Sequence, residues 1–140
     1  MYLKDRDKKI IVQFLKEKTN PKFIYLFGSF AKGEGREDSD IDLAIYTKKE
    51  LSPYNLYIIG NELTFKINRD VEIIDLKNID TVFAAQIVGN REELYFEDEN
   101  LKSYYNMKTL REYAKLNEER QIVLDSIRED GSIYGKWCSL

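Results

Sequence analysis

The sequence predicts an α/β (α+β) domain: a small mixed β-sheet flanked by helices, with a long helix at the C-terminal end. Three observations carry this. Short apolar runs at 23–27, 40–46 and 71–76 alternate with segments of helical spacing. Asn20-Pro21, the glycine-rich stretch after Gly28 and Asn68-Arg69-Asp70 punctuate those runs as turns. From Asp98 to about Arg128, apolar residues recur at helical intervals among charges.

Element by element, residues 2–18 place Leu3, Ile10, Ile11, Phe14 and Leu15 on one side of an amphipathic helix that Asn20-Pro21 stops. Phe23 to Phe27 is a buried strand ending at Gly28, and Gly28-Ser29 is expected to turn into a short helix. Residues 40–46 form the second strand. Ser52 is the N-cap and Pro53 the first residue of a helix carrying Leu56, Ile59, Leu63 and Ile67. Residues 71–76 form a third strand, Asn78 caps a helix closed by Gly89-Asn90, and residues 94–96 make a short edge strand. The terminal helix carries Leu101, Tyr105, Leu110, Tyr113, Leu116, Val123 and Ile127, with one break expected near Met107-Lys108 and an end at Gly131. Tyr104, Tyr105 and Tyr113 are expected to pack. Residues 1–130 are expected as one domain and 131–140 as a tail in which Tyr134 and Trp137 are the docking candidates.

The 140 residues suffice to bury roughly two thirds of the unfolded chain's surface. Apolar residues at 43% and charged residues at 34% describe a globular protein, and a net charge of -3 argues against gripping long nucleic acid by its phosphates. There is no histidine, which excludes Ser-His-Asp and Cys-His nucleophiles and the usual zinc sites. The lone Cys138 has no partner for an internal disulfide. No signal-peptide core and no stretch near the roughly 20 apolar residues of a membrane span is present, so a cytoplasmic protein is expected.

The chemistry concentrates in GSFAKGEGREDSDID, residues 28–42. Alternate strand residues share a face, so Asp40 and Asp42 point one way while Ile41, Leu43 and Ile45 enter the core. Two carboxylates side by side repel unless a cation joins them, and hard oxygen ligands favour magnesium. Gly28-Ser29 at a strand end aims backbone N–H groups and a hydroxyl outward, as a phosphate cradle does. Glu72, between Val71 and Ile73, supplies a third acid, with Asp70 beside the turn as second choice and Asp75 on the opposite parity. An EF-hand starting at Asp38 fails at its sixth and twelfth positions, Leu43 and Lys49. A P-loop fails because Gly33 and Gly35 precede Glu34 and Arg36. Phosphate cradle, paired aspartates and third acid together describe metal-assisted phosphoryl or nucleotidyl transfer.

Gly-Ser, ten residues, then Asp-x-Asp, with an acid between apolar residues on a later strand, resembles the nucleotidyltransferase superfamily related to DNA polymerase beta. Within it, GSFAKGEGREDSDIDLAI and NREELYFEDENLKSYYNMKTLREYAKL resemble the minimal nucleotidyltransferases, antitoxin partners of HEPN-domain ribonucleases. The resemblance covers roughly residues 1–120. It implies transfer of AMP from ATP, with Mg2+, to a hydroxyl of the partner toxin, a tyrosine being the expected acceptor. It further implies that Gly28 and Ser29 hold the triphosphate, that Lys32, Arg36 and Ser39 contact the nucleotide, and that Asp40, Asp42 and Glu72 bind metal and carry the catalysis. The commonest pattern of the group has Asp where this chain has Glu72. Two alternatives stand beside this reading: an idle fold that neutralises a toxin by binding alone, and a transferase acting on a small molecule such as an antibiotic.

Overall fold

The computed structural model describes residues 1–130, and side chains through residue 125; the tail with Gly131, Tyr134, Trp137 and Cys138 lies outside the described residues. The order is α1 (Asp5–Thr19), β1 (Phe23–Phe27), β2 (Ile41–Tyr46), α2 (Pro53–Ile67), β3 (Val71–Asp75), α3 (Thr81–Gly89), β4 (Glu92–Phe96) and α4 (Glu99–Asp130). The four strands form one mixed sheet in the order β3-β2-β1-β4. β1 runs antiparallel to both β2 and β4, whereas β2 and β3 are parallel, with α2 as the crossover that parallel strands require.

Both faces of the sheet are covered, and side-chain alternation decides which residue faces which layer. On one face, Ile24, Leu26, Ile41, Leu43, Ile45 and Ile73 pack against Ile11, Phe14 and Leu15 of α1 and Leu56, Ile59 and Leu63 of α2. On the other, Phe23, Tyr25, Ala44 and Leu76 meet Ile87 and Val88 of α3, with Leu101 and Tyr105 of α4 against them. Burying apolar surface at about 25 cal/mol per Å² is the main stabilising term for both layers. Among the described residues no helix is long and apolar enough to cross a membrane.

Several expectations hold locally. Ser52 Oγ accepts from the Asn55 N–H at 3.1 Å with Pro53 at the first helical position, and residues 94–96 lie in the edge strand β4. Others are corrected. Helix α1 starts at Asp5, not Tyr2. Asn78 does not cap α3: its amide donates to Asp75 Oδ2 at 3.1 Å, and Asp80 Oδ1 instead accepts from the Phe83 N–H at 2.7 Å. No break interrupts α4 near Met107-Lys108, because buried Asn106 and Thr109 hold that turn to the body, Asn106 Oδ1 accepting from the Tyr25 hydroxyl at 2.6 Å. Tyr105 packs on Phe23 and Tyr46, while neighbouring Tyr104 is exposed.

Candidate functional site

The antiparallel register pairs Phe27 with Asp42, and the parallel register pairs Asp42 with Glu72. Directly paired residues point to the same side of a sheet, so Asp42 and Glu72 stand side by side on the α3/α4 face. Asp40 shares their parity but precedes the strand, which begins at Ile41 instead of residue 40; it is exposed, and the Ile41 N–H donates to the Asp70 carbonyl at 2.8 Å. Asp70 therefore contributes its backbone to the start of β2. Asp75 faces the other way and is engaged in the turn by the Lys77 N–H and the Asn78 amide.

Asp42 feels the repulsion of the other two acids. Burial foremost, and then the like charges of Glu72 and Asp40, together push the Asp42 carboxyl up to about 6. Among the described residues, no group of three or more acidic or cysteine side chains is arranged to hold a metal ion as it stands. An open face of carboxylates is what Mg2+ ordinarily uses, since it takes one or two carboxylates and completes its shell with water and substrate phosphates. Asp40, Asp42 and Glu72 offer oxygen donors alone, the donor type that hard cations such as Mg2+ take.

Gly28 closes the floor of the site. Its φ is +76°, and a Cβ there would overlap Asp42 Oδ2, so the position needs glycine both for its conformation and for the space the carboxylate fills. The segment after it is a turn, not the short helix expected: the Glu34 N–H reaches back to the Ser29 carbonyl at 2.8 Å and Gly33 takes φ +76°. Phe30 anchors the turn in the core at 1% exposure, and the Met1 nitrogen donates to the Gly33 and Gly35 carbonyls at 2.8 and 2.7 Å. Ser29 is half-buried beside Gly28, whereas Lys32 and Arg36 are exposed on the loop. Ser39 Oγ accepts from the Arg36 N–H at 2.9 Å, which gives that hydroxyl a turn-forming role. Arg69, read in the sequence only as part of a turn, donates from Nη1 to the carbonyls of Arg36 and Glu37. A contact spanning more than thirty residues leaves no signature in local pattern.

The polymerase beta nucleotidyltransferase family matches residues 9–100. The chain is 30% identical over 104 residues to the protein adenylyltransferase MntA of Shewanella oneidensis, 74% of each chain being covered. It resembles a solved toxin-antitoxin structure with AMP-PNP at TM-score 0.77 and 27% identity, covering 86% of this chain and 98% of that one. A solved MntA-HepT toxin-antitoxin structure superposes at TM-score 0.73 and 25% identity, covering 89% and 99%. The chain belongs to the polymerase beta nucleotidyltransferase family.

Proposed function

We propose that this nucleotidyltransferase moves AMP from ATP onto a hydroxyl, a tyrosine's by expectation, of a partner HEPN-domain RNase toxin and thereby acts as its antitoxin. The single observation that carries the reading is Asp42, paired across the sheet with Glu72 and set against Gly28, with its carboxyl raised to about 6 and no cationic side chain among the causes of that shift. A carboxylate so placed gains from a bound divalent cation what the protein itself withholds. The adenylyltransferase name of the 30% identical relative and the AMP-PNP in the similar toxin-antitoxin structure support ATP as donor and a toxin as acceptor.

In this reading Gly28 and Ser29 bind the triphosphate, with Lys32 and Arg36 as further phosphate contacts from the loop. Asp40, Asp42 and Glu72 would hold Mg2+, which would supply charge neutralisation for the phosphates and lower the pKa of the acceptor hydroxyl. The acceptor oxygen forms a bond to the α-phosphorus, the bond from that phosphorus to the β-phosphate bridge oxygen breaks, and pyrophosphate leaves with the electron pair. The hydroxyl proton passes to a carboxylate of the site, a role this reading gives to Glu72, which is exposed. This reading has the reaction run in the cytoplasm, where ATP is supplied.

Incubation of the protein with ATP, Mg2+ and its purified HEPN toxin tests the proposal by the intact mass of the toxin. A gain of one or more AMP units, abolished by EDTA, is expected. A stable complex with no mass gain would overturn transfer in favour of neutralisation by binding.

A further inference from the structure

We infer that Arg69 is a positioning residue of the transfer site: its guanidinium clamps the turn that delivers the chain into Asp40 and so sets where that carboxylate stands. The inference rests on the role proposed above for Asp40. Because β2 starts at Ile41, Asp40 lies just outside the strand. Upstream of it, residues 36–39 form a turn closed on itself: the Ser39 N–H donates to the Arg36 carbonyl at 3.1 Å, and the Arg36 N–H donates to Ser39 Oγ at 2.9 Å. Those bonds shape the turn but do not tie it to the body of the protein.

Two ties come from one place, the turn between α2 and β3. The Asp70 carbonyl accepts from the Ile41 N–H at 2.8 Å, just after Asp40. Arg69 Nη1 donates to the Arg36 and Glu37 carbonyls at 3.0 and 2.7 Å, just before it. Adjacent residues thus hold Asp40 from both sides and key it to β3, the strand that carries Glu72. The Arg69 guanidinium carbon also lies 5.1 Å from the ring centroid of Phe30, the core anchor of the Gly28-Ser29 turn. Asn68 aims the arginine: its left-handed backbone, φ 62°, ends α2 while its N–H still reaches the Thr64 carbonyl at 2.8 Å. Since the Met1 nitrogen holds Gly33 and Gly35 independently, loss of Arg69 frees residues 36–40 and leaves the earlier part of the loop in place.

A single nitrogen serves both carbonyls, so a lysine can retain part of the clamp and a methionine cannot. Hydrogen exchange of the full chain without Mg2+ or nucleotide provides a readout independent of activity. Arg69→Met is expected to speed exchange at Ser39 by about ten-fold, the value of one charge-assisted hydrogen bond, with protection of the β1 amides unchanged and Arg69→Lys in between. In the transfer assay at saturating ATP, the Mg2+ concentration for half-maximal rate is expected to rise several-fold in Arg69→Met and to recover in part in Arg69→Lys. Unchanged exchange at residues 36–40, or faster exchange with an unchanged Mg2+ requirement, overturns the inference. Absence of transfer by the unaltered protein defeats the proposed function instead, while the exchange result still decides whether the clamp exists.

Discussion

Glu93 and Asp42 are carboxylates on the same face of one sheet, two strands apart, and they are treated in opposite ways. Burial pushes the Glu93 carboxyl up, but hydrogen bonds from Lys102 at 2.5 Å and Arg91 at 3.0 Å more than offset it, and the group ends below its ordinary range. Lys102 is itself only 7% exposed and lies 3.8 Å from the centroid of the Phe96 ring. At Asp42 burial again pushes upward, and the nearest charges, Glu72 and Asp40, push further in the same direction, to about 6. Glu93 is completed by the protein and fastens α4 to β4. Among the described residues no cation offsets the burial of Asp42, which is costly for folding and is the kind of shift that functional sites concentrate.

Exchanging the two regions' charges separates their roles most strongly. Asp40→Asn or Asp42→Asn should lower AMP transfer by about a thousand-fold, since several kcal/mol of charge stabilisation depend on the acid pair, while the melting temperature holds or rises. Lys102→Met should do the reverse. Stranding Glu93 without its main partner costs about 2 kcal/mol of stability, with transfer per folded molecule unchanged. Measured side by side, thermal melts and mass-based transfer assays would break the comparison if both variants moved the same quantity.

A smaller effect distinguishes the sites by pH. The Asp42 carboxyl is raised in the folded protein relative to its ordinary value of 3.8. Between that value and about 6 the native state therefore holds more protons than the unfolded chain, and stability contributed through this group grows as pH falls from 7 towards 4. Glu93, lowered on folding, contributes in the opposite sense, and its contribution is lost as pH falls through its folded value, below 4.5. Melting temperature in metal-free buffer should thus rise from pH 7 to pH 5 in the unaltered protein. Asp42→Asn should flatten that slope, and Mg2+ with ATP should raise the melting temperature most at pH 7.

Much of this was legible in the residues. The run 23–27 is a strand because it is apolar, aromatic and ends at Gly28, and alternation turned Asp42 and Glu72 away from the core residues beside them, while the register that pairs the two is visible only in the fold. What stayed hidden depended on partners remote in sequence. Asn78 and Asp80 are both suitable caps, and only the contact of Asn78 with Asp75 hands the role to Asp80. The stretch after Gly28 fails to become a helix because Gly33 turns left-handed and its carbonyl, with those of Gly35, Arg36 and Glu37, is taken by Met1 and Arg69. Likewise α4 runs unbroken past Met107 with Tyr25, eighty-one residues from Asn106, donating its buried hydroxyl to that side chain.

The most direct test is a carbon-detected NMR titration of the Asp42 carboxyl, run once in metal-free buffer and once with Mg2+ and a non-hydrolysable ATP analogue. The account predicts a midpoint near 6 in the first and one below the ordinary aspartate value of about 4 in the second. A midpoint that stays where it was when Mg2+ and nucleotide are bound would contradict the claim that Asp42 awaits a cation.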